Sequence, residues 1–291
     1  MAIDYFSASP IVVNGTTLLG GQSLSYEPGR EIFAPQNDGG VVHLIAGVSR
    51  CTPTVAITTK GVKAMLDILA ASGAGVPLPY LDLTGLTMVG RKGSPNAPTF
   101  AAGSVHEQVA MADGCLAFTG LEASANEDAV LSAVAYGIAA DGDTDPVVLS
   151  QVAAPAAPSA IAPYVLDSVT LDGTAVEEVS GVSVSASIDW QVEHGLKPFP
   201  ILVRPRFVDW TLTVRHADLG LMRTKLDKAA TGSFVLKNRQ TGGPTRGSST
   251  VSISVVGVLY QGTRTDPATG NVETVTTIRG AGVTPATWAT T

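Results

Sequence analysis

The sequence predicts a mainly β protein with one helix per domain, built from two tandem copies of one module. Three observations carry this. The stretch Val13-Asn14-Gly15-Thr16-Thr17-Leu18 returns as Leu171-Asp172-Gly173-Thr174-Ala175-Val176, a shift of 171 − 13 = 158 positions. Thr54-Val55-Ala56-Ile57 matches Thr211-Leu212-Thr213-Val214 at nearly the same offset, 211 − 54 = 157. A helical pattern then follows each, with Met65 and Leu69 in the places of Met222 and Leu226. Self-similarity at so long a period points to tandem domains rather than a short-period solenoid. Two similar domains on one chain suit two quasi-equivalent positions in a symmetric assembly.

The first copy opens with a strand-like run, Ile11 to Leu19, turned at Asn14-Gly15, a hairpin-type pair. Ser23-Leu24-Ser25-Tyr26 then alternates, and so does its counterpart from Val182 to Trp190. The period of two puts Val182, Val184, Ala186, Ile188 and Trp190 on one face and small polar residues on the other. Thr54 to Thr58 and Trp210 to Arg215 read as strands rich in β-branched residues. Val62, Met65, Leu66 and Leu69 fall at helical spacing, with Thr59 as N-cap and Gly73 as the stop. In the second copy Leu219, Met222 and Leu226 keep the stripe and Gly232 closes it. Such a Met and Leu stripe is read as core packing, so each helix is a lid on a sheet.

Further strands close each copy. Ala129 to Ile138 resembles Ser249 to Val258, aligning Gly137 with Gly257, and both copies reach a Thr-Asp-Pro turn, at Thr144-Asp145-Pro146 and Thr265-Asp266-Pro267. Val147-Val148-Leu149 and Asn271 to Ile278 are the last strand candidates. The offset drops there to 257 − 137 = 120, which implies 157 − 120 = 37 extra residues in the first copy, near 74–114. An excursion of that length is expected to be an interaction arm. Residues 153–163 form an Ala/Pro linker of semi-extended character. The domains are thus expected at 1–152 and 164–291.

Charged residues make up only 15% of the chain against 45% hydrophobic, with 31 Gly and 18 Pro. So few charges suit a surface covered by other subunits, or a secreted or heat-resistant β protein; the first reading is preferred. The net charge of −7 excludes a nucleic-acid binder of the usual kind, which needs a basic stripe to neutralise phosphates. No secretory signal is read at the start of the sequence, and no apolar run approaches a membrane span, so synthesis in a cytoplasm is expected. Cys51 and Cys115 are read as two reduced, partly buried thiols; pairing would need their Cα atoms within about 7 Å.

The search for chemistry yields little. No nucleophile elbow, Walker loop, dinucleotide fingerprint or H-E-x-x-H motif occurs, and His43, His106, His194 and His216 show no metal-ligand spacing. Glu177-Glu178 reads as a solvated strand edge. Asp141-Gly142-Asp143-Thr144-Asp145-Pro146 resembles the first half of a calcium loop, but Pro146 stands at the glycine position and Val152 at the bidentate glutamate position. A polar hairpin tip is the preferred reading. Asn14-Gly15-Thr16 is read as a turn rather than a sequon, and Arg91-Lys92 is too small for an anion site alone. No catalytic, cofactor or metal residues are assigned, and a non-enzyme is expected.

The order of elements, the duplication and the composition together resemble the tail tube proteins, or major tail proteins, of long-tailed bacteriophages. The resemblance covers Ile3 to Val152 and Tyr164 to Thr291. It implies tail-tube-like β-sandwich or barrel domains that close with their neighbours into rings, and rings that stack into a hollow conduit for DNA. A two-domain subgroup of that family makes its ring from a trimer. The expected partners are other copies of the chain and other phage tail proteins, with DNA only in passage and no membrane; the expected location is the virion. The insertion and the terminal segments, Met1 to Ser9 and Val283 to Thr291, are candidates for contacts between rings. Two other readings stand beside it: another phage ring protein, such as a terminator or baseplate component, and a tandem β-sandwich carbohydrate-binding module. The second usually needs exposed aromatic platforms, whereas Trp190 and Trp210 sit in strand patterns that suit core or interface anchors.

Overall fold

A computed structural model describes residues 6–18, 21–33, 47–70, 80–92, 103–153, 162–217, 229–240, 245–265 and 273–291. It is mainly β. The first half of the chain contributes β1 (Phe6–Val13), β2 (Thr16–Leu18), β3 (Gly21–Glu27), β4 (Arg30–Phe33), β5 (Gly47–Cys51), β6 (Thr54–Thr59), helix α1 (Val62–Ala70), β7 (Tyr80–Leu83), β8 (Leu86–Lys92), β9 (His106–Met111), β10 (Gly114–Ser124), β11 (Val130–Gly137) and β12 (Val147–Val152). The second contributes β13 (Tyr164–Leu171), β14 (Thr174–Ala175), β15 (Val179–Glu193), β16 (Leu202–His216), β17 (Ala229–Arg239), β18 (Arg246–Thr265), β19 (Glu273–Gly280) and β20 (Ala286–Thr290). The second expected helix, the stop at Gly73, His43 and most of the Ala/Pro linker lie outside the described residues.

Both predicted hairpins form, for the reason their sequences give. A two-residue hairpin turn of the favoured hand needs positive φ at both positions, which Asn, Asp and Gly tolerate. Asn14 and Gly15 have φ of 47° and 76°, and Asp172 and Gly173 have 49° and 75°. Each turn is clasped alike. The Thr84 N–H donates to Asn14 Oδ1 (2.8 Å) and the Asn14 N–H to Gly85 O (2.7 Å). The Thr231 N–H donates to Asp172 Oδ1 (2.6 Å) and the Asp172 N–H to Thr231 O (2.7 Å).

Helix α1 buries Val62, Met65, Leu66 and Leu69, the face the spacing predicted. Its N-cap lies two residues later than expected. The Met65 N–H bonds to Gly61 O, which makes Gly61 the cap. The Thr59 hydroxyl instead accepts the Gly61 N–H (2.9 Å), holding the turn that leads into the helix.

Strand pairing follows one scheme in both halves, down to the register. In the first, β1 joins β2 and β8, β8 joins β9, β9 joins β12, and separately β3-β6-β11-β10 run side by side. In the second, β13 joins β14 and β17, β17 joins β18, β18 joins β20, and β15-β16-β19-β18 run side by side. Leu24↔Ile57 in the first has Val182↔Val214 in the second, offsets of 182 − 24 = 158 and 214 − 57 = 157. Even the irregularity between Gly21 and Ser23 recurs between Val179 and Gly181. The same holds for Ala8/Ile11 and Leu166/Ser168.

The register corrects one sequence match. Residues 129–138 and 249–258 do not hold equivalent places, because β11 is flanked by β6 and β10 while its counterpart flanked by β16 and β18 is β19. Gly114↔Gly137 therefore corresponds to Gly257↔Gly280, an offset of 257 − 114 = 143. The length difference around the insertion is then 157 − 143 = 14 residues, not 37. Gly114 and Gly257 mark the spot physically: an added Cβ would overlap the carbonyl oxygen of Tyr136 at one and of Arg279 at the other. Ala286–Thr290 forms strand β20, paired with β18.

The halves share one sheet. β10 pairs with β15 through Gly120↔Ser185 to Ser124↔Gly181, so strands run unbroken from β14 to β3. One hydrophobic cluster spans both halves, including Leu66, Phe118 and Leu131 with Trp210, Leu212 and Phe234. No helix among the described residues is long and apolar enough to cross a membrane.

Candidate assembly surface

Three features could carry function: the polar loops and histidines, the junction of the halves, and the open sheet edges. The loops and histidines are structural. Asp141 Oδ1 accepts the N–H groups of Asp143 and Thr144 (both 3.0 Å), and Oδ2 takes the Thr144 hydroxyl (2.7 Å). The Thr144 hydroxyl and the two N–H groups hold the Asp141 carboxyl down at about 2. Its oxygens thus cap their own turn, and Asp143 pairs with Lys197. His106 Nδ1 accepts the Lys92 N–H (3.0 Å). His194 bridges Thr52 Oγ1 (3.3 Å) and Pro198 O (3.2 Å), and His216 Nε2 meets Thr276 Oγ1 (3.0 Å). Glu177 and Glu178 are exposed, and Glu178 takes a positive φ of 53° in the turn before β15. Among the described residues no three His, Cys, Asp or Glu side chains converge as metal ligands.

Cys51 and Cys115 are both free thiols, one half-buried and one buried. Burial, and then the charge of Asp82, pushes the Cys115 thiol up to about 12. It is an inert core group rather than a nucleophile.

The junction of the halves is where large side chains and backbone bonds concentrate. Five residue pairs join β10 to β15. On one side of them Phe118 from the first half packs in a triangle of rings with Trp210 (ring centroids 5.5 Å) and Trp288 (6.3 Å) from the second, which are themselves 6.1 Å apart. On the other, Trp190 packs against Tyr136 (4.9 Å) and Tyr80 (6.3 Å). Of the tryptophans the sequence singled out, Trp190 is thus a junction anchor and Trp210 a core residue. The tip between β15 and β16 reaches onto the first half, where Pro198 O accepts the Cys51 N–H (2.8 Å) and Pro200 O the Ala139 N–H (2.8 Å). Thr290 of β20 bonds to Asp67 of α1, and Arg239 pairs with Asp128 (3.4 Å). The partnership of Phe118 with Trp210 and Trp288 was not visible in the sequence, since the three positions are far apart and only register brings them together.

The outward face of the run β3-β6-β11-β10-β15-β16-β19 is lined by small hydroxyl side chains, among them Ser23, Thr58, Ser132, Ser185, Thr213 and Thr277, all exposed or half-buried. Ser23 and Thr58 bond to each other (2.6 Å). On this face Glu27, Glu122, Asp189, Glu193 and Asp209 stand with Arg204, Arg206, Arg215 and Arg279; Arg279 is paired with Asp209 (2.7 Å) and Arg204 with Glu193 (3.7 Å). The run has two ends. Among the described residues, β3 pairs with β6 alone, and the far part of β18, past Val258, pairs with β19 alone. No family model matches the chain, and no curated protein matches it.

Proposed function

We propose that the chain is a structural virion protein, an internally duplicated subunit whose copies close into rings that stack as the tube of a phage tail. The observation that carries this reading is the common register of the two halves, together with their edge-to-edge joining through β10 and β15. A module that already joins a similar one within one chain, with the matching edges unpaired among the described residues, suits repetition around a closed assembly. The wall material fits a conduit. A face of serine and threonine on which Arg204 and Arg279 are already paired with carboxylates offers phosphates little to bind, and DNA binding scales with the phosphates neutralised. The domains of this reading are 1–152 and 164–291, joined by 153–163, and the rings are trimers in which the halves alternate.

Negative-stain electron microscopy of the concentrated protein tests it. Hollow tubes or stacked rings with three chains per layer are expected. Single rings that never stack would favour a terminator or baseplate component, and a single-chain particle at every concentration would refute self-assembly.

A further inference from the structure

We infer that the β3 edge and the β12 face of one copy receive the far end of β18 from a second copy, in the register of the internal β10·β15 junction. This rests on the self-assembly reading and names its contact. The offsets transfer the junction residue by residue: β15 corresponds to β3 at 158 and β10 to β18 at 143. Leu121↔Val184 becomes Arg264↔Tyr26, and Glu122↔Ser183 becomes Thr265↔Ser25. Both strands have the backbone free to do so. Among the described residues, β3 has a neighbour on one side alone, and so does the stretch from Leu259 to Thr265. An unpaired edge is a template for another strand, and the strand that fits this one already has its counterpart inside the chain.

A second, independent observation marks the same side of the molecule. Val147 and Leu149 alternate onto one face of β12, yet Val147 is 5% exposed and Leu149 60%. Their counterparts are Ala286 and Trp288, since Val147↔Met111 matches Ala286↔Val255. Trp288 is only 9% exposed, packed against Phe118 from the other half and Trp210 from its own. Leu149 is bare at the corresponding place; the register counterpart of Phe118 is Gly262, so the cover a second copy brings there is the backbone of β18 rather than a ring. The contact is head to tail, so it continues from copy to copy until a ring closes.

Paired cysteines test the register. Ser25→Cys with Thr265→Cys, in a Cys51→Ser background, is oxidised under assembling conditions and run on a non-reducing gel. Within one chain the two positions lie on strands seven places apart in the order of the sheet and are not paired with each other. A cross-link between copies is read as a band at twice the chain's mass or more. A ladder of cross-linked chains is expected, several-fold above either single cysteine. In parallel, Leu149→Asp should leave the circular dichroism of the single chain unchanged and raise the concentration needed for assembly at least tenfold. Particles that form without the cross-link and ignore Leu149→Asp would overturn the contact and leave self-assembly standing. Wild-type protein that stays a single chain at every concentration would overturn both.

Discussion

Replacing Phe118 with alanine should destabilise both halves at once. The ring is 1% exposed and packs against two indoles, at 5.5 and 6.3 Å, that belong to the other half of the chain. Truncating a buried phenylalanine costs about 3–5 kcal/mol, from lost transfer energy and from the cavity left behind. Trp210 and Trp288 are 4% and 9% exposed and anchored in paired strands, so the site cannot collapse easily and the upper part of that range is expected. Urea unfolding followed by tryptophan fluorescence is the assay, because two of the three tryptophans report on the cavity directly. The midpoint should fall with little change in slope, in one transition, since one hydrophobic cluster spans both halves. Phe118→Leu should cost under about 1.5 kcal/mol, and Thr119→Ala, at an exposed neighbour, close to nothing. A loss below about 1 kcal/mol for Phe118→Ala, or two separate transitions in the wild type, would refute the shared core.

Three further outcomes are expected. Gly257→Ala drives its Cβ into the backbone carbonyl of Arg279 and should cost about 1–3 kcal/mol by denaturation, whereas Gly15→Ala meets no atom within 4 Å and should cost only the ~1–2 kcal/mol of left-handed backbone. Asp141 has a folded pKa depressed to about 2, so its stabilising turn is intact above the unfolded carboxyl value near 3.8 and is lost as pH falls through 2. Carboxyl NMR titration should show that midpoint, and Thr144→Val should move it upward; an unchanged midpoint would contradict the hydroxyl contact. With a thiol reagent at pH 8, Cys51 should react and Cys115 should stay protected until the protein unfolds, and two equally fast thiols would contradict the burial of Cys115.

Local signals in the sequence led to real elements where one physical requirement dominates. Asn14-Gly15 and Asp172-Gly173 are hairpin turns because few residue pairs accept positive φ twice in succession. The Val62, Met65, Leu66 and Leu69 stripe is a helix face because only that spacing buries all four. Alternation predicted Val182, Val184 and Ala186 as buried, but Ile188 and Trp190 are half-buried, since β15 runs on past the sheet core toward Tyr80 and Tyr136. Matching residues 129–138 to 249–258 failed for a different reason. Apolar alternation looks alike in any half-buried strand, so Gly137 met the wrong glycine. What distinguishes Gly257 is its approach to the Arg279 carbonyl, a cross-strand fact that no window of sequence contains. The edges of β3 and of the end of β18, unpaired among the described residues, were equally hidden, because pairing is a cross-strand property.

The β10·β15 junction also has a kinetic meaning. Two modules tied by a short connection meet at an effective concentration in the millimolar range, whatever the amount of protein in solution. In a ring of the proposed kind every second junction forms in this way, as each chain folds, and carries no dependence on dilution. Only the remaining junctions are bimolecular. In that reading, carrying both halves on one chain halves the encounters a ring requires, and the free chain itself would be the nucleus that shows the next one where to bind.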